Sequence, residues 1–307
     1  MLNFLPGIVL GILNALLLIG NIIICCGPLF ALSIIKLVLP FKTTRRLIDP
    51  LIIVIAEFWI SCNKGWMNLT HKTQWRVQGV EQLAYKGWYL VNANHQSWVD
   101  ILVLQYVLNR KIPLLKFFLK QELIWVPIMG LAWWALDFPF MKRYTREYLE
   151  KHPEKKGQDL KTTQKACEKF EIIPTSVMNF LEGTRFTQAK HDRQKSPFRH
   201  LLKPKAGGIA FVLEAMNGRF THILNATIVY PQGIPNFWQF MCGEMKEVIV
   251  HLENTPIPAD LIKGDYNNDP VYRENFQRWV HQLWLDKDKK IDGILQQQPS
   301  HALKTAS

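Results

Sequence analysis

The most informative stretch of this chain is residues 88 to 108, "WYLVNANHQSWVDILVLQYVL". Its first part is apolar and suits a strand, and its last part is an apolar run that suits a helix beginning at Ser97. Ser97 and Asp100 have the spacing of a capping box, with a hydroxyl at the N-cap and a carboxylate three residues on. The stretch therefore predicts a strand, a short loop that contains His95, and a helix with Asp100 in its first turn.

Further strands and helices are predicted along the chain. Residues 75 to 94 predict two strands joined by a tight connection, and residues 276 to 284 have the apolar spacing of a closing amphipathic helix. This alternation of strands and helical pieces indicates an α/β domain, with a mixed sheet flanked by helices. Three further strands are expected at residues 175–183 ("TSVMNFLEG"), 223–231 ("ILNATIVYP") and 247–254 ("EVIVHLEN").

The sequence begins with an apolar segment, and its first 35 residues hold no charged side chain. Residues 4 to 26 are long enough to cross roughly 30 Å of hydrocarbon as a helix, which Gly27 and Pro28 are expected to kink or end. A cleaved signal peptide is less favoured, because no basic residue precedes the apolar run. Residues 47 to 60 are too short to span comfortably. We expect a membrane-anchoring helix or a helical hairpin.

Basic side chains gather after this segment. Lys36, Lys42, Arg45 and Arg46 follow it and none precedes it, which by the positive-inside rule places the body at the inner membrane, facing the cytoplasm. The net charge of +12 favours polyanionic partners, and an anionic lipid surface is a simpler partner for an anchored chain than nucleic acid, which we do not expect. The five cysteines show no CxxC spacing, so neither a disulfide framework nor a zinc site is expected.

These features predict three parts of the chain. Residues 116 to 143 are apolar and rich in aromatic side chains, and Pro127 in their middle favours a buried or membrane-dipping helix over a second span. Residues 146 to 169 are densely charged and predict a loop followed by an amphipathic helix. The expected parts are a membrane-anchoring segment at 1–70, an α/β domain at 71–296 and a flexible tail at 297–307.

His95 and Asp100 have the chemistry of a catalytic pair. An imidazole can take a proton from an attacking hydroxyl near neutral pH, and a neighbouring carboxylate can fix its tautomer. Five residues of continuous helix turn by about 500°, so the two side chains can meet only if His95 lies in the loop before the helix. The competing interpretation is a capped helix beside an ordinary histidine. A nucleophilic hydrolase is not favoured, because the sequence has no GxSxG elbow.

A second polar cluster, "NFLEGTRF" at residues 179 to 186, follows a predicted strand. Its turn presents a guanidinium, a hydroxyl and backbone amides together, which suits a phosphate monoester. The alternative is a plain surface turn with a local ion pair. Two basic pairs, Lys142 with Arg143 and Lys203 with Lys205, are either further anion ligands or solvated side chains. The candidates in the turn are Glu182, Gly183, Thr184 and Arg185.

In this order, the pieces resemble the motif blocks of the glycerolipid acyltransferase family that contains lysophosphatidate acyltransferases. The similarity extends over approximately residues 75 to 231. The charged segment and "EGTRFTQ" are similar to the YihG-like inner-membrane branch of that family. Leu181 departs from the family pattern, which usually has proline there, and the fourth block lacks the usual proline flanked by valines. The matching blocks are "NHQSWVD", "FMKR", "FLEGTR" and "ILNATIVYP", together with "LKQELIWVPIMG" and "LKPKAGG".

The resemblance implies an enzyme that moves a fatty acyl group from an acyl-CoA or acyl carrier protein thioester to the sn-2 hydroxyl of lysophosphatidate, giving phosphatidate. Residues 114 to 140 are expected to bury the acyl chain, and no metal or other cofactor is expected. Two alternatives stay open. One is a different lysophospholipid acceptor, and the other is a non-catalytic membrane-tethered protein that binds anionic lipid or RNA.

The resemblance also implies roles for single residues. His95 is the expected general base and Asp100 its partner. Arg143 and the turn at residues 182–185 are the expected ligands of the acceptor's glycerophosphate end. Lys203 and Lys205 complete the predicted substrate-binding residues.

Overall fold

The computed structural model describes residues 2, 4–141, 152 and 174–297. It begins with two long helices, α1 (Gly7–Val38) and α2 (Lys42–Thr70), which pack against each other. Of the two predicted forms of the N-terminal segment, the structure has the helical hairpin.

Of the two effects expected at Pro28, a kink or an end of the helix, the structure excludes the end. The proline lies inside the helix, which continues beyond it to Val38. The side chain of Asn21 ties α1 to α2, because its amide donates to Trp59 O at 2.9 Å and to Asn63 Oδ1 at 2.8 Å. Packing of α1 against α2 thus outweighs one lost backbone hydrogen bond. Among the helices described, α1 is the one long and apolar enough to cross a membrane.

A six-stranded sheet follows the hairpin. Its strands are β1 (Gln74–Gln78), β2 (Tyr89–Ala93), β3 (Leu115–Phe117), β6 (Ser176–Phe180), β7 (His222–Val229) and β8 (Glu247–Pro256), while β4 (Leu119–Lys120) and β5 (Phe140–Met141) form a separate pair. The order is β1-β8-β7-β2-β6-β3, and every neighbouring pair is parallel except β7 with β8. The predicted α/β class with a mixed sheet is confirmed.

Helices cover both faces of this sheet. Further helices are α3 (Val99–Leu108), α4 (Met129–Ala135), α5 (Gln188–Gln194), α6 (Ala206–Ala215), α7 (Phe237–Met241) and α8 (Pro270–Gln296). One apolar core lies between the hairpin with α3 and one face of the sheet, and it includes Val250 of β8. A second core lies between α6 with α8 and the other face, and it includes Ile249 of β8. Neighbouring residues of β8 point to opposite faces, as the period of a strand requires.

Several local predictions were wrong. Residues 79–88 separate β1 from β2 and include a 3-10 turn, and β1 pairs with β8 instead of β2. The apolar segment from residue 116 forms no single long helix, since α4 has only seven residues. Helix α3 begins at Val99, later than Ser97. The helix expected within residues 146–169 lies outside the described residues.

Candidate functional site

The site lies where two neighbouring parallel strands end. Ala93 of β2 and Phe180 of β6 are register partners, so the residues that follow them emerge side by side at one edge of the sheet. Carboxyl ends of parallel strands are the usual place for a binding crevice in α/β folds. Asn94 fixes the exit from β2, because its side chain donates to Ile228 O at 2.8 Å and accepts from Ile228 N at 2.9 Å.

Asp100 collects the hydrogen bonds of the loop between β2 and α3. Its Oδ2 accepts from His95 Nδ1 at 2.8 Å and from the N–H groups of Gln96 and Ser97 at 2.6 and 2.8 Å. Its Oδ1 accepts from the hydroxyl of Tyr230 at 2.6 Å. Burial raises the pKa of the Tyr230 hydroxyl well above its ordinary value, so this hydroxyl stays a donor. All four partners donate, which is the pattern of an ionised carboxylate.

The imidazole of His95 is thereby held in one tautomer. Because Asp100 accepts at both oxygens, Nδ1 carries the hydrogen and Nε2 presents its lone pair. Nε2 has no hydrogen-bond partner in the described part of the chain, and the side chain keeps 13% of its surface exposed. The ring stacks on Phe180 with the ring centroids 3.9 Å apart. One nitrogen is oriented by a carboxylate and the other is open to a reactant, which is the arrangement of a general base.

The loop before α3 does not form the expected capping box, because the N-cap of α3 is Trp98 and it has no side-chain cap. Ser97 Oγ instead accepts from Val99 N at 3.2 Å and donates to Pro235 O at 2.5 Å. Asp100 Oδ2 accepts from Ser97 N, and the same oxygen binds the imidazole. His95 lies in the loop before the helix, which is the condition that the spacing of the pair imposes.

Glu182 was expected to bind substrate, and the structure places it elsewhere. Its side chain is fully buried; Oε1 accepts from His95 N at 2.8 Å and Oε2 accepts from Leu202 N at 3.0 Å. Phe186 N in turn donates to His95 O at 2.7 Å. Burial raises the pKa of Glu182 to about 7. The turn after β6 therefore binds both main-chain groups of His95, and the carboxylate of Glu182 is buried against these main-chain amides.

The rest of this turn forms an exposed cationic cluster. Gly183 has a φ of 67°, in the left-handed region that favours glycine. Lys190 Nζ donates to Thr184 Oγ1 at 2.8 Å and to Arg185 O at 2.9 Å. The exposed guanidinium of Arg185 lies 4.8 Å from the centroid of the Trp98 ring. Arg185 and Lys190 therefore present two cations beside the loop that carries the imidazole.

Two other predicted substrate ligands, Lys203 and Lys205, do not join this cluster. Lys203 and Lys205 line a separate surface groove of about 770 Å³, whose lining includes Arg278 and His281 of α8. Their role as substrate ligands stays a prediction. Arg143 lies outside the described residues. Within the described ranges, no three His, Cys, Asp or Glu side chains converge as metal ligands.

Sequence reasoning missed three residues of the site. Tyr230 and Asn94 directly follow β7 and β2, two parallel strands that end at the same edge of the sheet. Their position after predicted strands could therefore have marked them as site residues. Lys190 reaches the turn from α5, six residues after Thr184, and only the fold of that short helix brings it there.

Comparison with known proteins identifies the family. Residues 74–234, just over half of the 307-residue chain, match the family model described as Acyltransferase. The chain belongs to this acyltransferase family.

Two curated relatives show the extent of the likeness. The 1-acyl-sn-glycerol-3-phosphate acyltransferase gamma of Mus musculus is 23% identical over 240 residues, which cover 73% of this chain and 57% of that protein. Lysocardiolipin acyltransferase 1 of Mus musculus is 25% identical over 219 residues, which cover 66% of this chain and 53% of that protein. The chain thus spans little more than half the length of these relatives.

A solved structure is also similar. The crystal structure of the 1-acyl-sn-glycerophosphate (LPA) acyltransferase PlsC from Thermotoga maritima has a TM-score of 0.49 and 18% sequence identity, covering 90% of this chain and 97% of that one. Membership of the YihG-like branch stays a prediction.

Proposed function

We propose that this chain transfers a fatty acyl group from a thioester donor to the sn-2 hydroxyl of lysophosphatidate, giving phosphatidate. The observation that carries the proposal is the bond of 2.8 Å between His95 Nδ1 and Asp100, which leaves Nε2 open. Family membership supports acyl transfer, and the printed name of the gamma relative, an acyltransferase for 1-acyl-sn-glycerol-3-phosphate, supports this acceptor.

In the proposed reaction His95 is the general base. Nε2 takes the proton of the acceptor hydroxyl while the hydroxyl oxygen attacks the thioester carbonyl carbon. The new C–O bond forms, the C–S bond breaks, and the proton passes from Nε2 to the leaving sulfur. Asp100 stabilises the imidazolium that forms between these two transfers, as the aspartate of a catalytic triad does.

The cationic cluster is the proposed site for the acceptor's phosphate. Arg185 can grip a phosphate through two hydrogen bonds, and Lys190 adds a second positive charge. Gly183 and Thr184 shape the turn that carries Arg185. We keep Arg143 in this role as well, as the resemblance implies.

A large cavity is the proposed place for an acyl chain. It has a volume of about 830 Å³ and lies between α2 and the C-terminal end of α4. Its apolar lining includes Ile52, Leu114, Ala135 and Leu136, and its charged lining includes Lys42, Arg45, Arg46 and Lys116. Each methylene that such walls remove from water contributes about 0.8 kcal/mol to binding.

A row of aromatic rings extends from the side of this cavity to the imidazole. Phe138 follows the cavity residue Asp137, and its ring centroid lies 6.4 Å from that of Phe117. Phe117 lies 6.3 Å from Phe180, which stacks on His95. These apolar side chains support an acyl chain that runs from the cavity towards the site.

The hairpin is the proposed membrane anchor, and it lies in the interface without crossing. Near one end of α1, Asn14 Nδ2 donates to Met241 O at 2.8 Å; near the other, Lys36 Nζ pairs with Asp137 at 2.9 Å. Asn14 and Lys36 are about 33 Å apart along α1, which is close to the thickness of the hydrocarbon core of a bilayer. A spanning helix would place its two ends on opposite sides of the membrane, whereas here one body contacts both ends.

Exposed apolar side chains complete this membrane surface. They include Ile8 and Ile12 of α1 and, around α4, Trp125, Leu131 and Trp134. We propose that residues 1–70 anchor the α/β domain of residues 71–296 at the cell inner membrane. We place the domain on the cytoplasmic side, because the anionic lipids of that leaflet attract the cations after α1. The predicted tail lies outside the described residues, apart from residue 297.

A second acceptor is a specific alternative, because one relative is a lysocardiolipin acyltransferase. The purified, solubilised protein should be assayed against a panel of lysophospholipids, with acyl-CoA and acyl carrier protein thioesters as donors. We expect the highest kcat/KM with lysophosphatidate. A higher value with lysocardiolipin would favour the alternative acceptor, and lipid binding without turnover for every pair would favour a non-catalytic protein.

A further inference from the structure

The loop before α3 and the turn after β6 meet beside the imidazole. Trp98 stands five residues after Ala93, and Arg185 stands five residues after Phe180, the register partner of Ala93 in the neighbouring parallel strand. Two segments of equal length thus leave the same edge of the sheet. They contact each other at their side chains, because the guanidinium carbon of Arg185 lies over the Trp98 ring, 4.8 Å from its centroid.

The main chain of the turn is fixed on both sides of the Arg185 side chain. Phe186 N donates to His95 O at 2.7 Å, and Lys190 Nζ donates to Arg185 O at 2.9 Å. The first of these bonds holds the turn against the loop that carries the imidazole. Only the side chain of Arg185 is therefore free to change the position of the guanidinium relative to His95.

The main chain of Trp98 is fixed as well. Trp98 is the N-cap residue of α3, and it lies between Ser97, whose N–H donates to Asp100, and the fully buried Val99. Its side chain makes no capping hydrogen bond and is about half exposed. The indole thus has a defined place on the loop without a part in capping the helix.

The guanidinium of Arg185 has no other contact of this kind. Among the residues that the structure describes, it forms no hydrogen bond and no ion pair. A long side chain that is free before binding loses rotamer freedom when it takes up a ligand, which weakens affinity. The contact with Trp98 restricts it beforehand. It also leaves the N–H donors available, because a ring has no carboxylate oxygen to occupy them.

Given the acyltransferase function proposed above, with Arg185 as a ligand of the acceptor's phosphate, we infer that Trp98 is a positioning residue. Its indole holds the guanidinium beside the loop that carries His95. In lysophosphatidate the phosphate is attached to the carbon next to the one that bears the sn-2 hydroxyl. A phosphate bound at this guanidinium therefore brings the hydroxyl near the imidazole, and Trp98 adds affinity for the acceptor but not for the thioester.

Trp98→Leu tests this inference, because it removes the aromatic face and keeps an apolar side chain, whereas Trp98→Phe keeps a face. Trp125→Leu is the matched control, since Trp125 is an exposed indole on the proposed membrane surface and no described cation lies over its ring. In Trp98→Leu the KM for lysophosphatidate should rise by about fivefold, with kcat and the KM for the thioester unchanged. The other two variants should stay within about twofold of wild type.

Arg185→Ala provides the second arm. If Trp98 acts through Arg185, adding Trp98→Leu to Arg185→Ala should raise the KM for lysophosphatidate no further. A further rise in the double variant would overturn the inference. So would a loss in Trp98→Phe equal to that in Trp98→Leu, or a KM in Trp98→Leu like that of Trp125→Leu.

Lipid binding without a thioester provides a readout that needs no turnover. The dissociation constant for lysophosphatidate in detergent micelles should rise by about fivefold in Trp98→Leu, while monoacylglycerol, which lacks the phosphate, should bind it as it binds wild type. An unchanged constant for lysophosphatidate, or an equal loss for both lipids, would overturn the inference and leave the proposed function standing. A wild-type chain that shows the expected binding but transfers no acyl group would overturn the proposed function alone.

Discussion

The hydroxyl of Tyr230 donates to Oδ1 of Asp100 at 2.6 Å, from a residue 130 positions further along the chain. Asp100 Oδ2 is occupied by the imidazole and two backbone amides, so Tyr230 alone orients the other oxygen among the described residues. A carboxylate held at both oxygens cannot rotate away from His95.

Tyr230→Phe removes this hydrogen bond and keeps the ring. A buried hydrogen bond to a charged group contributes about 1.5–3 kcal/mol, so we expect kcat to fall by about tenfold or more with little change in either KM. Steady-state kinetics with lysophosphatidate check this. Tyr106→Phe is the control, because its hydroxyl bonds Asn68 in an exposed pair. Equal rates for the two variants would contradict the role of Tyr230.

Arg185→Ala and Lys190→Met test the phosphate site. Each removes one cation that we expect to bind the acceptor, so the KM for lysophosphatidate should rise by about tenfold while the KM for the thioester changes little. The neighbouring exposed Arg193→Ala is the control. Equal effects on the acceptor and the donor would argue against a phosphate site in this cluster.

Ala135→Leu tests the acyl cavity. Ala135 lines the cavity and is buried, so a larger side chain there leaves less room for a lipid chain. Rates with donors of increasing acyl length should shift towards shorter chains by a few carbons. Ala132→Leu, which crowds the same helix without facing the cavity, should reduce stability without this shift. A length preference identical to wild type in Ala135→Leu would exclude the cavity as the acyl site.

His71 gives the fold a dependence on pH. Burial lowers the pKa of His71 to about 4, from 6.5 in an unfolded chain, and its Nε2 lies 3.3 Å from Asn14 Nδ2 at the hairpin. The unfolded state binds this proton first as pH falls, so the free energy of unfolding should drop between pH 6.5 and 4, by about 3 kcal/mol at most.

Denaturant titrations of the solubilised protein at pH 7 and 4.5 measure this loss. His71→Gln should flatten the pH dependence, and the exposed His222→Gln should leave it as in wild type. A wild-type unfolding midpoint that stays constant over this range would rule out the contribution of His71.

Local sequence carried the prediction that His95 and Asp100 meet. The two residues are five positions apart, so they could meet only if the helix began after His95, and α3 does so at Val99, two residues later than expected. The strand before these residues and the apolar hairpin could also be predicted from local sequence, because both show as patterns of apolar residues over a short range.

Long-range contacts account for what could not be predicted. The buried carboxylate of Glu182 accepts from His95 N and Leu202 N, and neither residue is near Glu182 in sequence. Strand partners of β1 and the continuation of α1 through Pro28 were likewise set by tertiary packing. Residue type placed Glu182 near His95, but only the fold shows that its carboxylate accepts from main-chain amides of the protein.

One measurement tests the central claim most directly. Purified wild type, His95→Ala and the control His222→Ala should be compared for acyl transfer to lysophosphatidate and for binding to vesicles of anionic lipid. We expect His95→Ala to lose about 1,000-fold or more in kcat, because its general base is removed, and to bind vesicles like wild type, while His222→Ala keeps full turnover. Turnover in His95→Ala equal to that of the control would contradict it.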